Sequence, residues 1–116
     1  MRKYKNIPIF QYGQNENNGY ITKEAVIKTK NTFINAPVMI YDENDKYNKN
    51  NPRIIGLIKE VTKIEFPFVY GDVILKDNLD LGRFRNYSID VKESHEENGI
   101  IYFDEFVVQN ISFELK

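Results

Sequence analysis

From Arg53 onward the chain is a succession of β-branched and aromatic runs cut by short polar turns, and this restricts it to folds built on a sheet. RNYSIDVK (85–92) shows the pattern most cleanly. Tyr87, Ile89 and Val91 alternate with Asn86, Ser88, Asp90 and Lys92, as a strand with one buried face requires. RIIGLIKEVTKI (53–64) and VYGDVILK (69–76) read as two strands joined through Phe66-Pro67-Phe68. Gly56 and Gly71 then stand where a strand bulges or another backbone passes close by. IIYFDEFVVQNISFEL closes the chain as strand, after a polar turn ESHEENG at 93–99. DNLDLGRF (77–84) predicts one helical turn capped by Asp77 and ended by Gly82.

The first half carries the single strong helix signal. Thr22 stands at an N-cap, Glu24 in the first turn, and Ile21 and Val26 at the two positions of a hydrophobic staple, predicting a helix over about 22–32. Before it, residues 4–12 read as a strand confined to a sheet edge by Pro8. After it, Ala36-Pro37 leads into the short strand PVMIY, and residues 42–52 (DENDKYNKNNP) have almost nothing to bury and read as a mobile surface loop. No repeat or internal boundary appears. The expectation is one domain, 1–116, of β-rich α+β class: a bent, mostly antiparallel sheet or half-open barrel with one main helix. Its predicted core is Val26, Phe33, Val38, Ile40, Ile58, Val73, Leu75, Ile89, Val91 and Phe113.

Composition narrows the chemistry. Sixteen Lys and Arg against seventeen Asp and Glu leave no cationic surplus for phosphate, which argues against a nucleic-acid partner. With no Cys and one His, thiolate metal sites and cysteine nucleophiles are excluded, and no metal or cofactor is expected. Short apolar runs and an opening decapeptide without a signal-peptide core predict a soluble intracellular protein with no membrane partner. Asp42, Asn44 and Asp45 suggest a calcium loop, but Tyr47 and Arg53 stand where an EF-hand needs Gly and Glu. Arg83 and Arg85 flank Phe84, a grouping that grips phosphate or, more commonly, snorkels at a sheet rim.

The order of three stretches resembles the prohead (capsid maturation) proteases of tailed phages and their inactive relatives. NENNGYITKEAVIKTKNTFINAPVMIYDEN is similar to that family's turn, helix and "x-n-x-P-V" strand. RIIGLIKEVTKIEFPFVYGDVILK is similar to its "I-G-x-V … G" hairpin, and NYSIDVK to the "x-S-I-G" strand that holds the nucleophilic serine. VVQNISFEL resembles the closing strand, so the likeness spans nearly the whole chain. The resemblance implies a prohead-protease-like fold and places Ser88 at the nucleophile. The family's general-base histidine, expected just after Pro37, is absent from Val38–Asn44, and Asn110 replaces the supporting acid. His95, the only histidine, follows seven residues after Ser88, roughly 20 Å along a strand and its turn.

A serine hydroxyl needs a base within hydrogen-bond reach to become a nucleophile. The leading expectation is therefore a pseudoenzyme: a non-catalytic, head- or capsid-associated phage protein acting through protein–protein contacts. It would work in the host cytoplasm during assembly or in the virion, with capsid protein or a second copy of itself as partner. One alternative is a minimal serine capsid-maturation protease using Ser88. Another is a small host-directed inhibitor or binding module from a mobile element. Tyr4, Phe10, Tyr12, Tyr20, Phe84 and Tyr102, from a chain with eight Tyr and eight Phe, are the predicted interface anchors.

Overall fold

The computed structural model describes residues 1–15, 19–41 and 54–116. Eight strands form one sheet among them: β1 (Arg2–Gln11), β2 (Gly13–Gln14), β3 (Gly19–Ile21), β4 (Pro37–Ile40), β5 (Ile54–Glu65), β6 (Phe68–Leu75), β7 (Leu81–Glu97) and β8 (Ile100–Leu115). The order is β1-β6-β5-β4-β8, with β7 along one side of β8 and the β3-β2 pair on the other. All pairings are antiparallel except those of β8 with β3 and β4. The fold is thus β-rich, with an open and mostly antiparallel sheet, as its alternating runs predict.

One short helix, α1 (Lys23–Thr29), continues into a 3-10 turn at Lys30–Phe33. Thr22 caps it, its Oγ1 accepting the Ala25 N–H at 3.1 Å, and the staple residues Ile21 and Val26 are fully buried. The helix lies over the middle of β8, between the segments paired with β3 and β4. There Thr32 Oγ1 accepts the Val108 N–H at 3.3 Å.

Across β1, β6 and β5 the row Tyr4–Val73–Ile58 faces the core, while the adjacent row Lys3–Ile74–Leu57, extended to Pro37 on β4, faces outward. The core centres on Phe10, whose ring meets Phe33 edge-on at 5.1 Å, Phe106 stacked at 5.8 Å and Tyr87 at 4.2 Å. Of the predicted core, Ile40, Ile89 and Val91 are only half-buried. The reason for the last two is that β7, among the described residues, is laddered to a strand on one side only.

Two turn assignments are corrected. Residues 77–80 form no helical turn. Tyr4 holds them extended, its hydroxyl donating to the Leu79 carbonyl and accepting the Leu81 N–H, each at 3.1 Å, while Arg2 pairs with Asp80. The stretch 93–99 is not a seven-residue turn either. β7 runs to Glu97, and Asn98 (φ 53°) with Gly99 (φ 81°) alone makes the reversal, the positive-φ pair of a tight hairpin. Residues 42–52, the predicted mobile loop, lie outside the described residues.

Candidate functional site

β7 is an edge strand seventeen residues long, hydrogen-bonded among the described residues only to β8. The sheet curls until β1 approaches β7 from the other side. Tyr4 bridges the two at one end and the Phe10–Tyr87 contact further along, with no ladder between them. Beside β7 lies a polar groove of about 510 Å³, walled on one side by Gln11 at the end of β1, Gln14 of β2 and Asn15 after it. On the other side every residue from Phe84 to Ile89 lines it. Successive strand residues point to opposite faces, so a cleft that touches all six runs along the strand's edge.

Ser88 sits in this groove, opposite Asn110 on β8, and its Oγ donates to Gln109 Oε1 at 2.9 Å. Among the described residues no base is hydrogen-bonded to it. His95 stands further along the same strand, pairs across with Tyr102, and has its imidazole stacked on that ring at 4.9 Å. Its Nδ1 is 2.5 Å from Asp104 Oδ2, and its Nε2 is 3.6 Å from Glu97. A carboxylate, an imidazole and a serine hydroxyl are all present, but the fold leaves the third far from the other two.

The Asp104 hydrogen bond, helped by Glu97 and outweighing a smaller desolvation, raises the His95 pKa above its ordinary value near 6.5. Because the folded value is the higher one, this contribution to the hairpin is fully present below about pH 6.5 and is lost as pH rises through the raised value. Amide exchange at Glu96–Tyr102, corrected for its intrinsic rate, is therefore expected to be more protected near pH 6 than near pH 8.5. Asp104→Asn should return the imidazole titration toward 6.5 and remove that difference. A titration unchanged by Asp104→Asn would contradict the assignment.

The aromatic candidates divide. Phe10 is wholly buried and Tyr12 is 6% exposed, so neither can anchor a partner; Phe10 lies at the end of β1 and Tyr12 just after it. Tyr4, Tyr20, Phe84 and Tyr102 are half-buried and already engaged. Tyr4 lies under Arg2, Tyr20 packs edge-on to Tyr102, and Phe84 packs on Phe113. Arg83 and Arg85 are likewise spoken for, both reaching Glu114, at 3.1 and 2.8 Å, with Arg85 also over the Tyr41 ring. The exposed large apolar side chains are aliphatic in the main, including Ile54, Leu57, Ile100 and Ile101. A reading weighted toward aromatics passed over them. The Asn98-Gly99 dipeptide was the signal that would have brought Ile100 and Ile101 to a hairpin tip.

Among the described residues no group of three or more His, Asp or Glu side chains is placed to hold a metal ion, and no helix is long and apolar enough to cross a membrane. The calcium candidates Asp42, Asn44 and Asp45 lie outside the described residues. Comparison with protein-family models, curated proteins and solved structures finds no significant match to this chain.

Proposed function

We propose that this chain is a non-catalytic protein-binding domain that receives an extended segment of a partner along the edge of β7 away from β8, in the phage-head setting its resemblance to the prohead proteases implies. The observation that carries the reading is the groove along Phe84–Ile89, where one wall is the edge of a strand. A strand laddered on one side only can take a further strand along its other edge, which adds main-chain hydrogen bonds and seats alternate side chains. Gln11 and Gln14 on the opposite wall offer further amide donors and acceptors to a segment lying between. Capsid protein is the partner this setting supplies.

The test is co-purification of the tagged chain with phage capsid protein. Ile89→Lys, which sets a charge in the groove, should lower recovery by about tenfold or more, equivalent to ~1.4 kcal/mol of binding. Ser88→Ala should leave stability and recovery unchanged, since among the described residues its hydroxyl meets only Gln109. Labelling of Ser88 by a fluorophosphonate, together with loss of function in Ser88→Ala, would instead restore the protease reading. Recovery of a host enzyme in place of capsid protein would favour the host-directed one.

A further inference from the structure

Two surfaces outside the groove are complementary to each other. The first is a shallow apolar basin of about 300 Å³ on the outward face of the sheet, lined by Pro37, Ile54, Leu57, Ile74 and Lys76 among others. Ile54 and Leu57 are exposed there at 42% and 37%. Lysines ring it. Lys3 stands directly across from Ile74, Lys59 follows Leu57 by two on β5, and Lys76 lines the basin itself. Lys3, Lys59 and Lys76 take part in no ion pair among the described residues. Lys3 and Lys59 are close enough that the second, above all, lowers the pKa of the first, against a smaller opposing pull from Asp72.

The second surface is the tip of the β7–β8 hairpin, where residues 92–101 are all exposed. Glu97 pairs across with Ile100 and Glu96 with Ile101, so each face of the tip presents one isoleucine beside one carboxylate. The isoleucines are 42% and 39% exposed. Apolar centre and acidic flank on the tip match apolar centre and basic flank on the basin.

We propose that the hairpin tip of one copy of this chain seats in the basin of the next, giving a head-to-tail assembly. The contact is intermolecular by construction. β4, which forms the basin's end at Pro37, lies beside Ile111–Phe113 of β8, while the tip begins at Ile100, roughly 35 Å along the same strand. The tip cannot fold back onto its own basin. Two unlike surfaces on one chain make a heterologous contact, which propagates into a ring or filament rather than stopping at a dimer. Charge complementarity sets the register, and the tip isoleucine on the face that meets the basin, set against Leu57, Ile54 and Ile74, supplies the apolar burial. This inference uses neither Ser88 nor the β7 groove and stands independently of the proposed partner there.

Sedimentation velocity of the full chain tests it. The mass is expected to rise with concentration above the 13.7 kDa of one chain, and to fall back as salt is added. Glu96→Lys with Glu97→Lys, and separately Lys3→Glu with Lys59→Glu, should each give a monomer with unchanged circular dichroism. Mixing the two variants, or combining all four changes in one chain, should restore assembly, because opposite charges then face each other again. Ile100→Ser with Ile101→Ser should abolish assembly without altering charge. A wild-type chain that stays monomeric up to about 1 mM overturns the proposal, even if its basin captures an acidic apolar peptide. Reversed-charge variants that assemble as well as wild type overturn it equally.

Discussion

Phe10→Ala is expected to cost about 3–5 kcal/mol of folding stability, a large share of the 5–15 kcal/mol typical of a small domain. Phe10 is fully buried, and its ring is the hub at which β1, the 3-10 turn after α1, β7 and β8 meet through Phe33, Tyr87 and Phe106. Truncation removes the ring's own transfer free energy. It also leaves three rings without their common neighbour, and these come from different elements, so the cavity closes poorly. Urea denaturation should show a lowered midpoint with little change in slope. A loss below about 1 kcal/mol would mean that β1 is not packed as described.

Gly71→Ala is expected to destabilise by about 1–3 kcal/mol, toward the upper end, although only one methyl group is added. A Cβ at Gly71 would lie 2.5 Å from the Glu60 carbonyl oxygen and 2.6 Å from Ile9 Cδ1. The first is backbone in the paired strand β5 and cannot rotate away; the second is fully buried core. The residue pairs with Ile7 on one side and Val61 on the other, so any shift is passed to both neighbours. Gly99 provides the contrast. A Cβ there meets open space, and its φ of +81° makes the cost of Gly99→Ala one of backbone conformation alone, about 1 kcal/mol. Thermal unfolding of the two variants side by side should separate crowding from conformation, and equal losses would refute the close approach at Gly71.

Much of the fold was legible because it rests on local chemistry. Thr22 caps whatever helix follows it, Pro8 cannot serve a central strand, and β1 is indeed the sheet's edge. Gly56 and Gly71 were expected at close backbone approaches, and both are such points. What failed to read out was decided at a distance. Nothing within 77–84 reveals that Tyr4, more than seventy residues earlier, will claim Leu79 and Leu81 and hold the segment extended. The half-burial of Ile89 and Val91 follows from β7 lying at an edge, a property of strand order that alternation within RNYSIDVK cannot express. Charge density over ESHEEN masked a strand because exposed positions on a projecting hairpin carry no apolar signature. The site was the least legible part. The groove beside Ser88 exists only because the end of β1 and β2 approach β7, which no stretch of sequence around Ser88 records.

The pairing of β8 with strands from both halves of the chain has a kinetic consequence. The β7–β8 hairpin and the β5–β6 hairpin close through short turns, whereas β3 and β4 find β8 only after loops of more than seventy residues close. Closing a loop of that length costs about 4 kcal/mol in chain entropy before a single contact repays it. Such non-local pairing places folding in the millisecond-to-second range of β-dominated domains, with the two hairpins formed early and the parallel seams sealed late. Until those seams close, the β8 backbone that will receive β3 and β4 is bare. The interval before sealing is when this chain is most open to pairing with the wrong strand.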